Sequence, residues 1–282
     1  MSALKIEAEA IIESEPCVIA WDNMLFVGTE SGSIITFDAN LKPGSKWPAH
    51  ETQVFALTAA KGNVYSSSID GGVRVWTASG DKVTEYPPTG GDIGALHVHE
   101  NQLIAGDESG NVVFYENNTE KAKYNVLEEV KDIGFKPPYM FTARDLYVTV
   151  TEIKPDESKN RFMTRHTMEG RAPLRVAGAR LVVTARGGNN LQLHDSSIDN
   201  KFKKLHEVKV SDMILTSLSV NENFAWTGGW DGCVRRWKIE GDQLQAAGEI
   251  NLGACINALY ASSPCTAYIL LAGGKVICVK VT

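Results

Sequence analysis

The chain repeats itself at a period of about 40 residues, and a repeat of that length confines it to a stacked or ring-like architecture. Four segments, MLFVGTESGSIITFD, VYSSSIDGGVRVW, LIAGDESGNVVFYE and FAWTGGWDGCVRRW, each join a short apolar run, a glycine-containing turn and a second, β-branched run. Runs of that kind around a tight turn are hairpins. The aromatic residue near the end of the second run falls at Phe37, Trp76 and Tyr115, spaced by 39 and 39, and Trp237 follows 122 residues later, near three further periods. Weaker copies fill the interval. LVVTARGGNNLQLHD places His194 in the aromatic position, PYMFTARDLYVTVTEI turns at Arg144 and Asp145, and LLAGGKVICVKV ends the chain around Gly273 and Gly274.

A further apolar run precedes each hairpin, as in QVFALTA, IGALHV and TSLSV, and a polar run usually follows, so each unit holds four strands. Such a sheet cannot bury both faces alone and needs a like neighbour on each side. The pattern predicts an all-β fold, a seven-bladed β-propeller of four-stranded antiparallel blades, as a single domain over residues 1–282. Size agrees with one closed ring, because scaling gives roughly 12,000 Å² of folded surface against roughly 44,500 Å² extended. Apolar stripes of helical period are not evident, so helix is expected to be scarce. The last unit stops after its third strand, at VICVKVT, whereas Leu4, Ile6, Ala8 and Ala10 alternate with Lys5, Glu7, Glu9 and Ile11 at period two. The N-terminal strand is therefore expected to complete the last blade, closing the ring and covering an open edge.

SSSIDGGVRVW (66–76) and TGGWDGCVRRW (227–237) resemble the S-x-D-G-x-V-x-x-W core of the WD-repeat β-propellers, a resemblance that extends over essentially the whole chain. It implies a structural hydrogen-bond network of His50, Ser66, Asp70 and Trp76, with Thr227, Asp231 and Trp237 as the counterpart in the sixth unit, which has no matching histidine. The remaining units depart from the family pattern, with Phe37, Tyr115 and His194 in the tryptophan place and no terminal W-D dipeptide. A buried carboxylate and imidazole must satisfy one another, which favours a network over a catalytic triad at His50, Ser66 and Asp70.

Composition narrows the function. The 28 Lys and Arg against 34 Asp and Glu leave a formal charge of −6, which disfavours wrapping by a polyanion. Five cysteines without a C-x-x-C pair suggest neither a disulfide framework nor a zinc ribbon, and fit a reducing compartment. MSALKIEAEAII lacks the basic region and apolar run of a signal peptide, and no run approaches the roughly 18 apolar residues of a membrane span. The expected location is cytoplasmic and/or nuclear, with no membrane partner. The G-x-S-x-G, G-x-G-x-x-G and G-x-x-x-x-G-K-[ST] motifs do not occur. His97 and His99 point to one side of a strand, but no third ligand is evident. The chain is accordingly read as nonenzymatic, with no catalytic residue, metal or cofactor.

Charge is unevenly distributed. Seven of ten arginines lie between Arg144 and Arg186, a window with nine basic and five acidic residues, while the rest of the chain carries −10. Turns between second and third strands emerge together on one face. That face would be dipolar, with Glu30, Asp107 and Glu108 at one side and Arg144 and Arg186 at the other. Trp230, at a hairpin tip, is its expected anchor. A basic rim would form where Arg161, Met163 and Arg165 share a face of RFMTRHTM and Lys201 and Lys203 share a face of KFKKLHEV, each taken as an outer strand. The polar loop KPDESKN (154–160) falls on the opposite face. These features point to a protein–protein interaction scaffold, a subunit of a multiprotein complex that receives acidic or phosphorylated partner segments. RNA along the basic rim is the alternative. A hydrolase or isomerase with a site in the central channel is the third reading.

Overall fold

Burial along the strands explains why the second and third runs of each unit are so apolar. Leu25–Thr29 is buried at every residue, whereas the outer strand Thr119–Asn125 has no buried residue. A strand covered on both faces reads as a continuous apolar run, and a strand at the outer edge does not. The computed structural model describes residues 2–156 and 161–282. They form 28 strands in seven four-stranded antiparallel sheets, with no α-helix among the described residues. The protein is a seven-bladed β-propeller. Blades 1 to 6 occupy 16–48, 56–85, 93–125, 132–169, 171–209 and 215–251, and blade 7 combines 256–281 with 4–11.

The first strands of successive blades touch one another all the way round, including blade 7 against blade 1, and line the central wall. The core lies between blades. Phe26 and Ile34 of blade 1 pack with Val64 and Trp76 of blade 2, and Tyr268 and Leu270 of blade 7 pack with Leu25 and Phe37 of blade 1. Blades approach closely at Gly106, Gly134 and Gly228, where a Cβ would lie 2.5 Å from Val130, 2.7 Å from Leu174 and 2.7 Å from Ile256. Only glycine lets the next blade approach so near.

Leu4–Ile11 pairs antiparallel with Lys275–Val281, from Leu4 opposite Val281 to Ile11 opposite Lys275, and closes the ring. One detail departs from simple alternation. A bulge between Ile6 and Ala8 inserts Glu7, and a one-residue slip sends following side chains to the other face. Leu4 therefore packs towards blade 6, whereas Ala8, Ala10 and Ile12 pack towards blade 1, and Ile6 is exposed.

Candidate functional site

In blade 2 four side chains form one hydrogen-bonded chain, whose directions follow from a neutral His50 ring. His50 donates from Nδ1 to Asp70 Oδ1 at 2.7 Å, and its Nε2 accepts from Ser66 Oγ at 2.8 Å. Ser66 Oγ in turn accepts Trp76 Nε1–H at 2.9 Å. Burial lowers the His50 pKa, in keeping with the neutral ring that this pattern requires. Burial by itself would raise the Asp70 carboxyl, but the Glu51 N–H, His50 and Arg74 together hold it below the ordinary value. The order Ser66–His50–Asp70 is that of a nucleophile, base and orienter. Ser66, however, has no exposed surface, and its oxygen is occupied by Trp76, so no substrate carbon can reach it.

Blade 6 has a shorter version. Trp237 Nε1 donates to Thr227 Oγ1 at 3.1 Å, while Asp231 accepts from Arg235 and Ser211, each at 2.7 Å. Ser211 follows His50 by 161 residues, the interval from Asp70 to Asp231, and that fixed offset is the signal that identifies it. Its side chain is too short to join Asp231 to Thr227. Blade 3 uses Thr89, one period after His50, which donates to Asp107 Oδ2 at 2.5 Å, and Asn111 donates to the same carboxylate. Asp107 is fully buried. Grouping it with Glu30 and Glu108 as a contact residue is therefore corrected, because at the end of a second strand it anchors its own turn.

Turns between second and third strands share a face with the connections between blades. Glu30 and Glu108 are exposed there, and Glu30, after burial itself, helps push the Cys17 thiol up to about 11. Trp230 is 56% exposed, and its backbone N–H donates at 3.0 Å to the carbonyl of Ile214, the residue that follows exposed Met213 in sequence. Leu215 N donates to Gly188 O and ties this corner to the turn that carries Arg186. Among the described residues nine large apolar side chains are exposed, and five of them, Phe55, Ile69, Leu127, Met213 and Trp230, lie in loops of this face. One, Ile198, lies in a loop of the opposite face. Among the described residues, exposed apolar side chains in loops are therefore more numerous on the face that carries Trp230, where they are spread over several blades.

Arg144 and Arg186 converge on Tyr147, with guanidinium carbons 5.3 and 5.7 Å from the ring centroid. Both are already paired, Arg144 with Glu128 and Arg186 with Glu169 at 3.2 Å. The positive surplus counted along the chain is offset in the same way elsewhere. Arg175 meets Asp132 at 2.6 Å, and Arg180 meets Asp242 at 2.6 Å and Asp195 at 3.5 Å. These acids lie outside the 144–186 window, so much of the positive surplus counted along the chain is offset by acids from elsewhere in the sequence.

The basic rim also needs correction. A bulge between Val150 and Thr151 leaves Arg165 as the extra residue of the outer strand Phe162–Glu169, so it no longer alternates with Arg161 and Met163. Arg165 binds Glu152 through Nε at 2.7 Å and through Nη2. Arg161 immediately precedes that strand, and its charge bears on Tyr124. The outer strand of blade 5 begins only at Lys204, so Lys201 and Lys203 sit in the turn before it. Residues 157–160 of the KPDESKN loop lie outside the described residues.

On the inner wall, burial and the nearby Arg175 push His97 down to about 4, and Tyr260 lies within reach of the same guanidinium. Arg175 and Tyr260 escape sequence reading, because no motif marks the first strands. No group of three or more His, Cys, Asp or Glu side chains is placed to hold a metal among the described residues.

No protein-family model matches this chain. No curated protein matches it in sequence. In shape it is similar to the crystal structure of the computationally designed Ika8 protein, with a TM-score of 0.71 at 17% identity over 96% of this chain and 98% of that one. At that identity the likeness establishes the fold alone, and function must be argued from the site.

Proposed function

We propose that this protein is a nonenzymatic, WD-repeat-like interaction scaffold, a cytoplasmic or nuclear subunit of a multiprotein complex, which holds a partner segment on the loop face of blades 4 to 6. The observation that carries this reading is the pair of exposed apolar residues Met213 and Trp230 at the corner that the Leu215 N–H ties, through Gly188 O, to the turn of Arg186, which shares the Tyr147 ring with Arg144. Tryptophan, tyrosine and arginine are enriched among the few residues that dominate binding energy at protein interfaces. An apolar partner residue packs on Trp230, and a partner carboxylate or phosphate displaces Glu169 from the half-exposed Arg186. Closed rings need little rearrangement to bind, so specificity comes from the loops rather than from folding.

The test is affinity purification of tagged wild-type, Trp230→Ala and Arg186→Glu proteins from native cells, with nuclease, followed by cross-link mapping. The expected result is a nuclease-resistant partner cross-linked near residues 186–230 and depleted at least about tenfold by each variant. Partners retained in full by both variants would remove this face, and partners lost with nuclease would transfer the argument to nucleic acid.

A further inference from the structure

A cleft of about 470 Å³ opens on the outer wall between blades 4 and 5. His166 and Met168 come from the outer strand of blade 4, His194 from the third strand of blade 5, and Lys201, Phe202 and Lys203 from the turn that follows. It lies where the repeat loses its tryptophan. Trp76 fills the corresponding place in blade 2, whereas the smaller His194 ring is held back by Phe202 O and Gln192 Oε1, both at 3.1 Å.

The turn is held in a conformation that most residues avoid. Lys201 and Phe202 have φ of 52° and 51°, in the left-handed region that costs energy for side chains with a Cβ. Asp195 stabilises it by accepting from Ser197 N, Ser197 Oγ and Asn200 Nδ2, and Phe202 N donates to Ser197 O at 3.0 Å. The outcome is specific. Phe202 points inward, 2% exposed, against Phe141 and the stacked His166 ring, while Lys201 and Lys203 on either side of it are exposed. Neither lysine has an ion-pair partner among the described residues, in contrast to Arg165, Arg186 and Lys204, each of which already holds a glutamate.

We propose that this cleft binds an extended acidic segment of a partner protein, with flanking carboxylates on Lys201 and Lys203 and one apolar side chain against the half-buried His166 ring. Charge complementarity selects this occupant. Lys201 and Lys203 flank a side chain that turns inward, which suits carboxylates spaced by an apolar residue, and two unpaired lysines on a chain of −6 overall suit a short acidic segment rather than the continuous backbone of a nucleic acid. Glu169, at one end of the cleft, pairs with Arg186 of the loop face, so a single partner can cross from one site to the other. The cleft is nonetheless a separate site and does not depend on Trp230.

The experiment measures fluorescence anisotropy of labelled peptides of alternating Glu and Leu, with alternating Gln and Leu and an oligouridine RNA as comparators. Wild-type protein, the Lys201→Glu/Lys203→Glu double variant and Trp230→Ala are titrated against each. The acidic peptide is expected to bind wild type and Trp230→Ala equally and to lose at least about tenfold in affinity to the double variant. Hydrogen exchange of the wild-type protein should show protection at 197–204 when that peptide is added, a readout that stands even if the double variant folds poorly. The inference is overturned if the Gln peptide binds as tightly, if both lysines can be reversed without loss, or if protection falls at 230 instead. Tighter oligouridine binding lost in the same double variant would assign the cleft to RNA. Failure of Trp230→Ala to release native partners would refute the loop-face reading and leave the cleft untouched.

Discussion

Arg144 and Arg186 belong to different blades yet share one aromatic ring, at 5.3 and 5.7 Å from the centroid of Tyr147. Two like charges can gather there because the ring face and the carboxylates of Glu128 and Glu169 compensate them. Tyr147→Ala is expected to lower stability by about 1–2 kcal/mol, and Tyr147→Phe, which keeps the ring, by less than about 0.5 kcal/mol. Urea unfolding of the two variants checks this. Equal losses would show that the hydroxyl, rather than the ring face, holds the pair.

The three acids read together as partner contacts should separate on mutation. Asp107→Ala leaves the Thr89 hydroxyl and Asn111 N–H without their acceptor in a buried turn and is expected to cost about 2–4 kcal/mol. Glu30→Ala and Glu108→Ala, both at exposed positions, should stay within about 0.5 kcal/mol of wild type. Thermal unfolding of all three decides the matter, and a mild effect at Asp107 would contradict its anchoring role.

Closure of the ring by its own first strand makes the N-terminus a stability element. Removing residues 1–12 exposes the edge of Lys275–Val281 and empties the place of Leu4, which is 7% exposed. Loss of a buried leucine costs about 2–5 kcal/mol, so with the lost ladder the melting midpoint should fall by roughly 10 °C or more. An unchanged midpoint would refute closure by this strand.

Acid should weaken the fold from near neutrality downward. Burial, with Arg175 adding to it, pushes His97 from its ordinary 6.5 to about 4, so the unfolded chain binds more protons between those values. Stability is therefore complete above pH 6.5 and is lost as pH falls towards 4. Burial lowers His50 and His194 in the same sense. Further down, Lys204 and Asn190 hold Glu207 at about 2, so its contribution is lost as pH falls from 4.5 to that value. His97→Gln should show a shallower decline in melting temperature between pH 6.5 and 4 than wild type. Identical slopes would leave His97 without a part in the transition.

Local chemistry carries the period, the four strands of each unit and the pairing of the two ends, because strand and turn signals are written within a few residues and repeat at a fixed spacing. His50, Ser66, Asp70 and Trp76 are legible for the same reason, and Ser211 and Thr89 become so once the period is applied. The bulges at Glu7 and Arg165 leave no mark in composition, yet each reverses the parity of the residues beyond it. Tertiary packing alone decides that Asp107 is inside, that Arg144 and Arg186 meet over one ring, and that Arg180 finds Asp242 in another blade. Charge along a chain is a sum over neighbours in sequence, whereas charge on a surface is a sum over neighbours in space, and docking the blades replaces the first set with the second.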